Sequence, residues 1–206
     1  MKKVWNAEEK LRIERELMDK GVQYIAGVDE VGRGPLAGPV VCAAVIMPFD
    51  DERIVVGVDD SKKLSAKKRE MLAEEIKQKA LCYTIVEIDE KTIDEINILQ
   101  ATRLGMKRAI EQLQITPEIV LTDGNMTIDV PHAQRSVVHG DALSYSIGAA
   151  SIIAKVHRDK MMDEYAKTYP HYAFDKNKGY GTAEHIQGIK EQGLCPIHRR
   201  TFTKNF

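Results

Sequence analysis

The stretch that decides the fold is YIAGVDEVGRGP, at residues 24–35. Residues 24–31 are apolar apart from two carboxylates and predict a β-strand, which the following glycines and proline must end. A second run, 40–47, is apolar throughout, which predicts a strand buried on both faces of a sheet. Because the two strands are close in sequence, we expect them to be antiparallel neighbours.

Working outward, the same criteria divide the rest of the chain into alternating elements. Further strands are predicted at 82–88, 119–122 and 135–138, and helices at 7–20, 65–80, 92–113, 142–155 and 182–192. The first helix is charged and is interpreted as a surface helix capped by Asn6. The helix at 142–155 is apolar nearly all round, which predicts a central buried helix. This order of elements predicts an α/β fold, with helices packed on a mixed sheet.

The charges are balanced overall but unevenly distributed. Thirty Lys and Arg against 31 Asp and Glu leave 206 residues with a formal net charge of -1. This balance argues against a binder of nucleic acid that is basic throughout its length, but it allows a local basic face. Two segments are locally basic, 62–69 and 176–206. Each is open to two interpretations, a solvated surface or a surface that binds phosphates.

Composition also sets the class of protein and its compartment. A hydrophobic fraction of 43% in 206 residues is enough for the core of one globular domain. Cys42, Cys82 and Cys195 are few and widely spaced, which predicts free thiols in a reducing compartment. The longest apolar run, 40–47, is far shorter than the roughly 20 residues that span a bilayer. We therefore expect a cytoplasmic protein without membrane association.

Several carboxylates follow strand ends or precede a helix. The candidate catalytic and metal-binding residues are Asp29, Glu30, Asp123 and Asp141. Each of them has a simple structural alternative. Asp29 could face the surface of the sheet and Glu30 could be solvated, while Asp123 precedes a glycine and could only open a turn, and Asp141 could only cap a helix. As a set, the four could meet at one edge of the sheet and bind Mg²⁺ or Mn²⁺ through oxygen alone. Asp159, near the expected end of the buried helix, is expected to face solvent.

Two glycine-containing segments suit contact with a ligand. The glycines at 32, 34 and 38 do not have the spacing of a dinucleotide-binding fingerprint. Glycines do expose backbone groups for close approach, and a ribose 2′-OH needs both a donor and an acceptor. Tyr180 lies between two glycines, an arrangement that favours an exposed ring able to stack on a sugar or base.

Six blocks of the sequence, in the same order along the chain, resemble those of bacterial ribonuclease HII. They are YIAGVDEVGRGPLAGPVV at 24–41, DSKKLS at 60–65, TDG at 122–124, GD at 140–141 with SIIAKV at 151–156, KGYGT at 178–182 and HRRTF at 198–202. The resemblance covers the chain from about residue 20 to the end. It implies an RNase H-like fold, with a five-stranded mixed sheet flanked by helices. It also implies one catalytic domain over 1–206, with an N-terminal helix at about 1–20 and a C-terminal helical region at about 160–206.

The resemblance further implies an activity and its cofactors. The implied reaction is endonucleolytic cleavage of RNA in RNA–DNA hybrids, including nicking 5′ to single ribonucleotides in duplex DNA. Products would carry 5′-phosphate and 3′-OH ends, and the implied roles are ribonucleotide excision repair and RNA primer removal. The four carboxylates would bind the metal, Mn²⁺ or Mg²⁺, with two ions present when substrate is bound.

The residues implied to contact the substrate come from three segments. They are Gly32, Arg33, Gly34, Lys62, Tyr180 and Arg199. The Gly-Arg-Gly turn would read the 2′-OH at the RNA-to-DNA junction, and Tyr180 would stack on the deoxyribose that follows it. Lys62 and Arg199 would hold phosphates. We expect a monomer, and the alternative to a nuclease is a non-catalytic module that binds nucleic acid through the same basic segments.

Overall fold

The structure is a computed structural model that describes residues 5–205. Its strands are β1 (Ile25–Val31), β2 (Val40–Ile46), β3 (Cys82–Ile88), β4 (Ile119–Asp123) and β5 (Ala133–Val137). Within the described residues they form one five-stranded sheet in the order β3-β2-β1-β4-β5. β1 is antiparallel to β2 and parallel to β4, and β4 is parallel to β5. The predicted mixed sheet and the antiparallel pairing of its first two strands are confirmed.

The helices of the described chain flank this sheet. They are α1 (Ala7–Lys10), α2 (Arg12–Met18), α3 (Ala66–Lys79), α4 (Glu90–Glu111), α5 (Gly140–Leu143), α6 (Tyr145–Thr168), α7 (Phe174–Asn177) and α8 (Ala183–Gln192), with 3-10 turns at Ser61–Lys63 and Pro170–Tyr172. α3 and α8 agree with their predicted bounds within one residue. Each begins after a hydroxyl cap, Ser65 or Thr182, whose side-chain oxygen accepts a hydrogen bond from a backbone N–H in the first turn.

The long helix predicted at 92–113 is interrupted. Asn97 has φ 65° and ψ 163°, outside the helical region, so α4 is kinked there. The Asn97 side-chain oxygen accepts hydrogen bonds from the N–H groups of Leu99 and Gln100, at 3.0 and 3.1 Å. Asparagine tolerates positive φ better than most residues and also caps helices, so it ends one helical segment and starts the next.

Two apolar layers hold the helices against the sheet. Along β2, alternate side chains face opposite layers, so that Val41 packs with α3 and α6 while Val40 packs with α4. Every residue of β2 is buried, as predicted. α6 lies directly on β1, because a Cβ added at Gly27 would be 2.1 Å from the carbonyl carbon of Ser146. The predicted central buried helix is therefore confirmed.

The start and the length of this central helix differ from the prediction. Residues 140–143 form the separate turn α5, and Ser144 caps α6 by accepting a hydrogen bond from the N–H of Ile147. α6 then runs for 24 residues, to Thr168. The C-terminal region predicted from about residue 160 therefore begins inside α6. The longer helix carries residues from the sheet into the C-terminal part of the molecule.

Asp159 was expected to face solvent, and this expectation is wrong. It lies within α6, where its side chain is 17% exposed. Its carboxylate accepts a hydrogen bond from Lys155 Nζ at 2.7 Å and lies 3.7 Å from Arg69 Nη2. Because α6 continues past residue 155, Asp159 falls on a packed face that α3 covers.

The predicted surface helix at 7–20 is two helices, α1 and α2, and α2 packs on the core. Asn6 caps α1 as predicted, but Ile13 and Leu17 of α2 are buried. Glu14 is fully buried and accepts hydrogen bonds from Ser144 Oγ at 2.5 Å and from the N–H of Ser146 at 2.9 Å. α2 thus covers the N-terminus of α6. Residues 1–4 of the predicted N-terminal helix region lie outside the described residues.

The C-terminal part is helical and is tied back to the loop after β1. Ala37, Met162, Phe174, Ile189 and Ile197 are buried together in a separate apolar cluster. An isolated antiparallel bridge joins Ala37 to His198. The segment around His198 therefore lies against the loop that begins with the Gly-Arg-Gly turn.

Two further expectations concern the whole chain. Cys42, Cys82 and Cys195 are free thiols, as predicted, and the first two are buried. Among the described residues, no helix is long and apolar enough to cross a membrane.

Candidate active site

The C-terminal end of β1 carries two neighbouring carboxylates. Asp29 is buried, with 6% of its surface exposed, and Glu30 is partly buried. Burial raises the pKa of Asp29 well above its usual value, and repulsion from Glu30 and Asp123 raises it further, against a hydrogen bond from Ser151 that lowers it. Burial also raises the pKa of Glu30, although Arg33 opposes this shift. The site therefore holds negative charge that its surroundings do not fully neutralise.

Asp123 reaches the same edge from the neighbouring strand. Val28 of β1 is paired with Thr122 of β4, and because these strands are parallel the next residues, Asp29 and Asp123, lie side by side. Asp123 Oδ1 accepts hydrogen bonds from the N–H groups of Gly124 at 2.9 Å and Gly140 at 2.7 Å. The first of these is the turn-opening contact that the sequence allowed. The second links the end of β4 to the start of α5.

Asp141 lies in the first turn of α5, one residue beyond this contact. The alternative that it caps a helix is wrong, because His139, with φ 57°, holds the cap position of α5 and Ser144 caps α6. Burial raises the pKa of Asp141, and repulsion from Asp123 and Asp60 adds to this shift, while Lys62 lowers it. The fourth candidate carboxylate therefore belongs to the same electrostatic cluster as the other three.

Lys62 lies at the rim of the cluster. Its Nζ is 3.5 Å from Asp141 Oδ2, and its side chain is 80% exposed. Burial lowers the pKa of Lys62, but the attraction of Asp141, Asp60 and Asp29 outweighs burial and raises it overall. An exposed ammonium group beside a buried acidic cluster can contact a phosphate that approaches the same edge.

The four carboxylates suit a hard divalent cation by their chemistry, although their oxygens do not surround a common point in this structure. Carboxylate oxygens that repel one another are the ligands that Mg²⁺ and Mn²⁺ favour. Among the described residues, no group of three or more His, Cys, Asp or Glu side chains is positioned to hold a metal ion. Asp123 Oδ1 is engaged by backbone N–H groups, and Asp141 faces Lys62. The residues fit such an ion by chemistry and by location, and binding requires their side chains to reorient.

The Gly-Arg-Gly turn follows directly after β1. Gly32 has φ +90°, and a Cβ there would lie 2.1 Å from Arg158 Nε, so both conformation and space require glycine. Arg33 is exposed, and its Nη1 is 3.3 Å from Glu30 Oε1. A Cβ on Gly34 would lie 3.5 Å from Tyr180 Cε1. The turn therefore borders both the acidic cluster and the ring of Tyr180.

The Tyr180 ring is held at the surface by its backbone. Tyr180 is 46% exposed, and its own N–H donates to Asn177 O at 2.9 Å. Gly179 has φ +86°, and its carbonyl accepts a hydrogen bond from the N–H of Leu36 at 2.8 Å. The loop that carries Tyr180 and the loop after β1 are therefore joined by a backbone hydrogen bond, and together they form one surface beside the carboxylates.

Arg199 does not lie where a phosphate contact requires it. Its side chain is fully buried, and it donates to the backbone carbonyls of Gly38, Arg33 and Gly32 at 2.9, 2.9 and 2.6 Å. The expectation that Arg199 holds a phosphate is therefore wrong for this structure, because its guanidinium group is occupied beneath the loop. Arg200, the next residue, is the exposed one.

Three residues of the site were missed in the sequence. Ser151 of α6 hydrogen-bonds to Asp29, and its Oγ is 3.0 Å from Ser61 Oγ. Arg158, also of α6, is fully buried and packs beneath Gly32. Ser151 and Arg158 could have been identified, because a serine or an arginine within an apolar helix usually has a specific partner. Nothing in the local sequence marks Ser61.

The fold and the acidic edge together define a nuclease of the RNase H-like class. The crystal structure of ribonuclease H2 from Pyrococcus horikoshii OT3 matches with a TM-score of 0.75 and 26% identity, covering 88% of this chain and 94% of that one. The family model described as Ribonuclease HII matches residues 26–205. The chain is 55% identical to ribonuclease HII of Ligilactobacillus salivarius (strain UCC118), over 95% of this chain and 75% of the relative. It is 53% identical to ribonuclease HII of Caldicellulosiruptor saccharolyticus, over 96% of each.

The chain therefore belongs to the ribonuclease HII family. Membership makes it an endonuclease of the hydrolase class that acts on RNA–DNA hybrids. The alternative of a non-catalytic binding module is excluded, and the predicted family and fold class are confirmed.

Proposed function

We propose that this enzyme nicks duplex DNA on the 5′ side of a single embedded ribonucleotide, in addition to cleaving RNA–DNA hybrids, and leaves 5′-phosphate and 3′-OH ends. The observation that supports this most directly is the position of Asp29 and Asp123 side by side at the end of the parallel β1–β4 pair. The Gly-Arg-Gly turn and the exposed Tyr180 ring border the same edge. Reaction groups and a surface suited to a single sugar are therefore adjacent.

The proposed metal ligands are Asp29, Glu30, Asp123 and Asp141, and the proposed cofactor is a pair of Mn²⁺ or Mg²⁺ ions. Cations at this edge would relieve the repulsion that raises the pKa of Asp29 and of Asp141. When bound, such a pair supplies an activated water and stabilises the leaving 3′ oxygen. The chain contributes by fixing these carboxylates, since Ser151 orients Asp29 and the N–H of Gly140 orients Asp123.

The proposed substrate contacts divide between sugar and phosphate. The backbone of Gly32, Arg33 and Gly34 would read the 2′-OH, and the Tyr180 ring would stack on the next deoxyribose and so disfavour a second ribose. Lys62 would hold a phosphate, since its ammonium group is exposed within reach of the acidic cluster. Arg199 supports the turn from below.

The deciding experiment compares two labelled duplexes of one sequence, one carrying a single ribonucleotide and one entirely DNA. The protein is incubated with each in Mg²⁺, in Mn²⁺ and in EDTA, and the products are resolved beside 3′-OH size standards. We expect one nick, 5′ to the ribonucleotide, only with metal and only in the first duplex. Cleavage that persists in EDTA, or an intact ribonucleotide-containing duplex beside a cleaved RNA–DNA hybrid, would refute the proposal.

The wider biological setting follows from this activity. An enzyme with this specificity suits ribonucleotide excision repair and RNA primer removal in the cytoplasm, where the free thiols remain reduced. We propose that it acts as a monomer. Light scattering after size-exclusion chromatography tests this, because a species of about twice 23.2 kDa would contradict it.

A further inference from the structure

Arg199 connects the end of the chain to the turn after β1. It is fully buried, and its three hydrogen bonds all end on backbone carbonyl oxygens, two of them in the Gly-Arg-Gly turn. Among the described residues, no carboxylate forms an ion pair with it. Burial lowers the pKa of Arg199 to about 9, and the nearby Arg158 guanidinium group also lowers it. Arg199 is thus still charged near neutral pH, and the carbonyl dipoles of this loop are what hold it.

These contacts fix the direction of two peptide groups. A trans peptide is planar, so the N–H of one residue points away from the C=O of the residue before it. The carbonyls of Gly32 and Arg33 point inward to Arg199, at 2.6 and 2.9 Å. The N–H groups of Arg33 and Gly34 must therefore point outward, and neither donates a hydrogen bond to another described residue.

The two outward N–H groups form a donor pair on an exposed surface. Arg33 and Gly34 are both exposed, and Tyr180 borders Gly34. Backbone donors held in this way recognise an oxygen without side-chain flexibility. An oxygen of the sugar that precedes the one stacked on Tyr180 would be within their reach.

We infer that Arg199 is a positioning residue for ribose recognition, because it orients the N–H groups of Arg33 and Gly34 to donate to the 2′-hydroxyl oxygen of the ribonucleotide. This inference rests on the proposed function, which places the ribonucleotide at the turn. Arg199 was expected to contact a phosphate of the substrate. In the inferred role it acts through the backbone of the turn and does not touch the substrate.

The test measures discrimination between ribose and deoxyribose in binding. The dissociation constants of the single-ribonucleotide duplex and the all-DNA duplex are determined by fluorescence anisotropy in EDTA, so that no cleavage intervenes. We expect Arg199→Lys, which cannot reach all three carbonyls, to reduce the ratio of the two constants about 3- to 10-fold, the range for one lost hydrogen bond. Affinity for the all-DNA duplex should change little.

Met106→Ala is the control for stability. Met106 is fully buried in the apolar layer between α4 and the sheet, and it belongs neither to the Gly-Arg-Gly turn nor to the loops that contact it. Its truncation should lower the melting temperature at least as much as Arg199→Lys does and leave the binding ratio nearly unchanged. An equal fall of the ratio in both variants would reduce the role of Arg199 to general stability and overturn the inference.

A second variant does not depend on how Arg199→Lys folds. Gly34→Pro removes one of the two N–H donors directly, because proline has no backbone N–H. We expect the proline variant to lose discrimination. If the unaltered protein discriminates but Arg199→Lys and Gly34→Pro do so equally well, the inference is wrong. If the unaltered protein does not discriminate at all, the proposed function is itself wrong.

Discussion

Asp29→Asn is expected to abolish cleavage and, at the same time, to stabilise the fold. Asp29 is 6% exposed, and burial together with repulsion from Glu30 and Asp123 raises its pKa well above the usual value. Its ionised form therefore destabilises the folded state near neutral pH. Asparagine has nearly the same shape, carries no charge and can still accept the hydrogen bond from Ser151. The loss of one proposed metal ligand should lower kcat at least about a hundredfold.

The size and pH range of the stabilisation follow from the same contacts. A single stabilising substitution, such as one that removes an unfavourable charge, commonly adds about 0.5–2 kcal/mol to the free energy of unfolding. For a chain of this length each kcal/mol changes Tm by roughly 2–4 °C, so we expect a Tm higher by about 1–8 °C at pH 7 in EDTA. Because the pKa of Asp29 is raised in the folded state, the difference should vanish below about pH 4, where the unfolded carboxyl is protonated too.

Asp159→Asn is the matched control, because it makes the same chemical change in the opposite surroundings. Asp159 is also little exposed, but it pairs with Lys155 at 2.7 Å and lies 3.7 Å from Arg69. Its replacement should lower the Tm at pH 7. Differential scanning fluorimetry from pH 3.5 to 8 measures both variants. Repulsion within the acidic cluster is not destabilising if Asp29→Asn melts below the unaltered protein at pH 7. Asp29 is not a metal ligand if added Mn²⁺ raises the Tm of Asp29→Asn as much as that of the unaltered protein.

Three other perturbations test separate parts of the molecule. Tyr180→Ala should reduce the preference for a DNA nucleotide after the ribonucleotide about tenfold, since stacking contributes roughly 1–3 kcal/mol. Tyr83→Ala is the control, because Tyr83 is similarly exposed on β3, and it should leave this preference unchanged. If Tyr180→Ala cleaves duplexes with DNA and with RNA after the ribonucleotide in the same ratio as the unaltered protein, the stacking role is contradicted. Lys62→Ala should decrease the salt dependence of duplex binding by about one phosphate contact, and an unaltered slope in a salt titration would exclude that contact. Burial lowers the pKa of His198 to about 4, so the free energy of unfolding should fall as the pH falls from about 6.5 towards 4. His198→Gln should flatten the dependence of Tm on pH in this range. A slope as steep as that of the unaltered protein would show that other groups cause the loss of stability.

Much of the fold could be predicted because local patterns and burial agree. The apolar run at 40–47 becomes β2, every residue of which is buried. The hydroxyl residues Ser65 and Thr182 start the helices that they were expected to start. Where the prediction of a surface helix at 7–20 failed, the decisive contact was distant in sequence. α2 is buried because Glu14 and its apolar neighbours cover the start of α6, some 130 residues further on.

The candidate site divides in the same way. Residue types at strand ends pointed to Asp29 and Asp123, because a strand that ends in a carboxylate presents it at the edge of the sheet. Whether the two meet depends on β1 and β4 being parallel neighbours, which only the paired sheet establishes. The capping alternative for Asp141 was equally consistent with the sequence, and it fails only because α5 and α6 are separate.

Arg199 shows most clearly what sequence alone leaves open. In the chain it lies in a basic segment that also contains Phe202, which is the pattern of a surface that binds phosphates. In the folded molecule it is buried, and it donates to carbonyls more than 160 residues earlier in the chain. The sequence by itself determined the family, the strands and the residue types of the site. The tertiary structure decided which charged groups face solvent and which hold the backbone, because that depends on the carbonyls and carboxylates that folding brings to each charge.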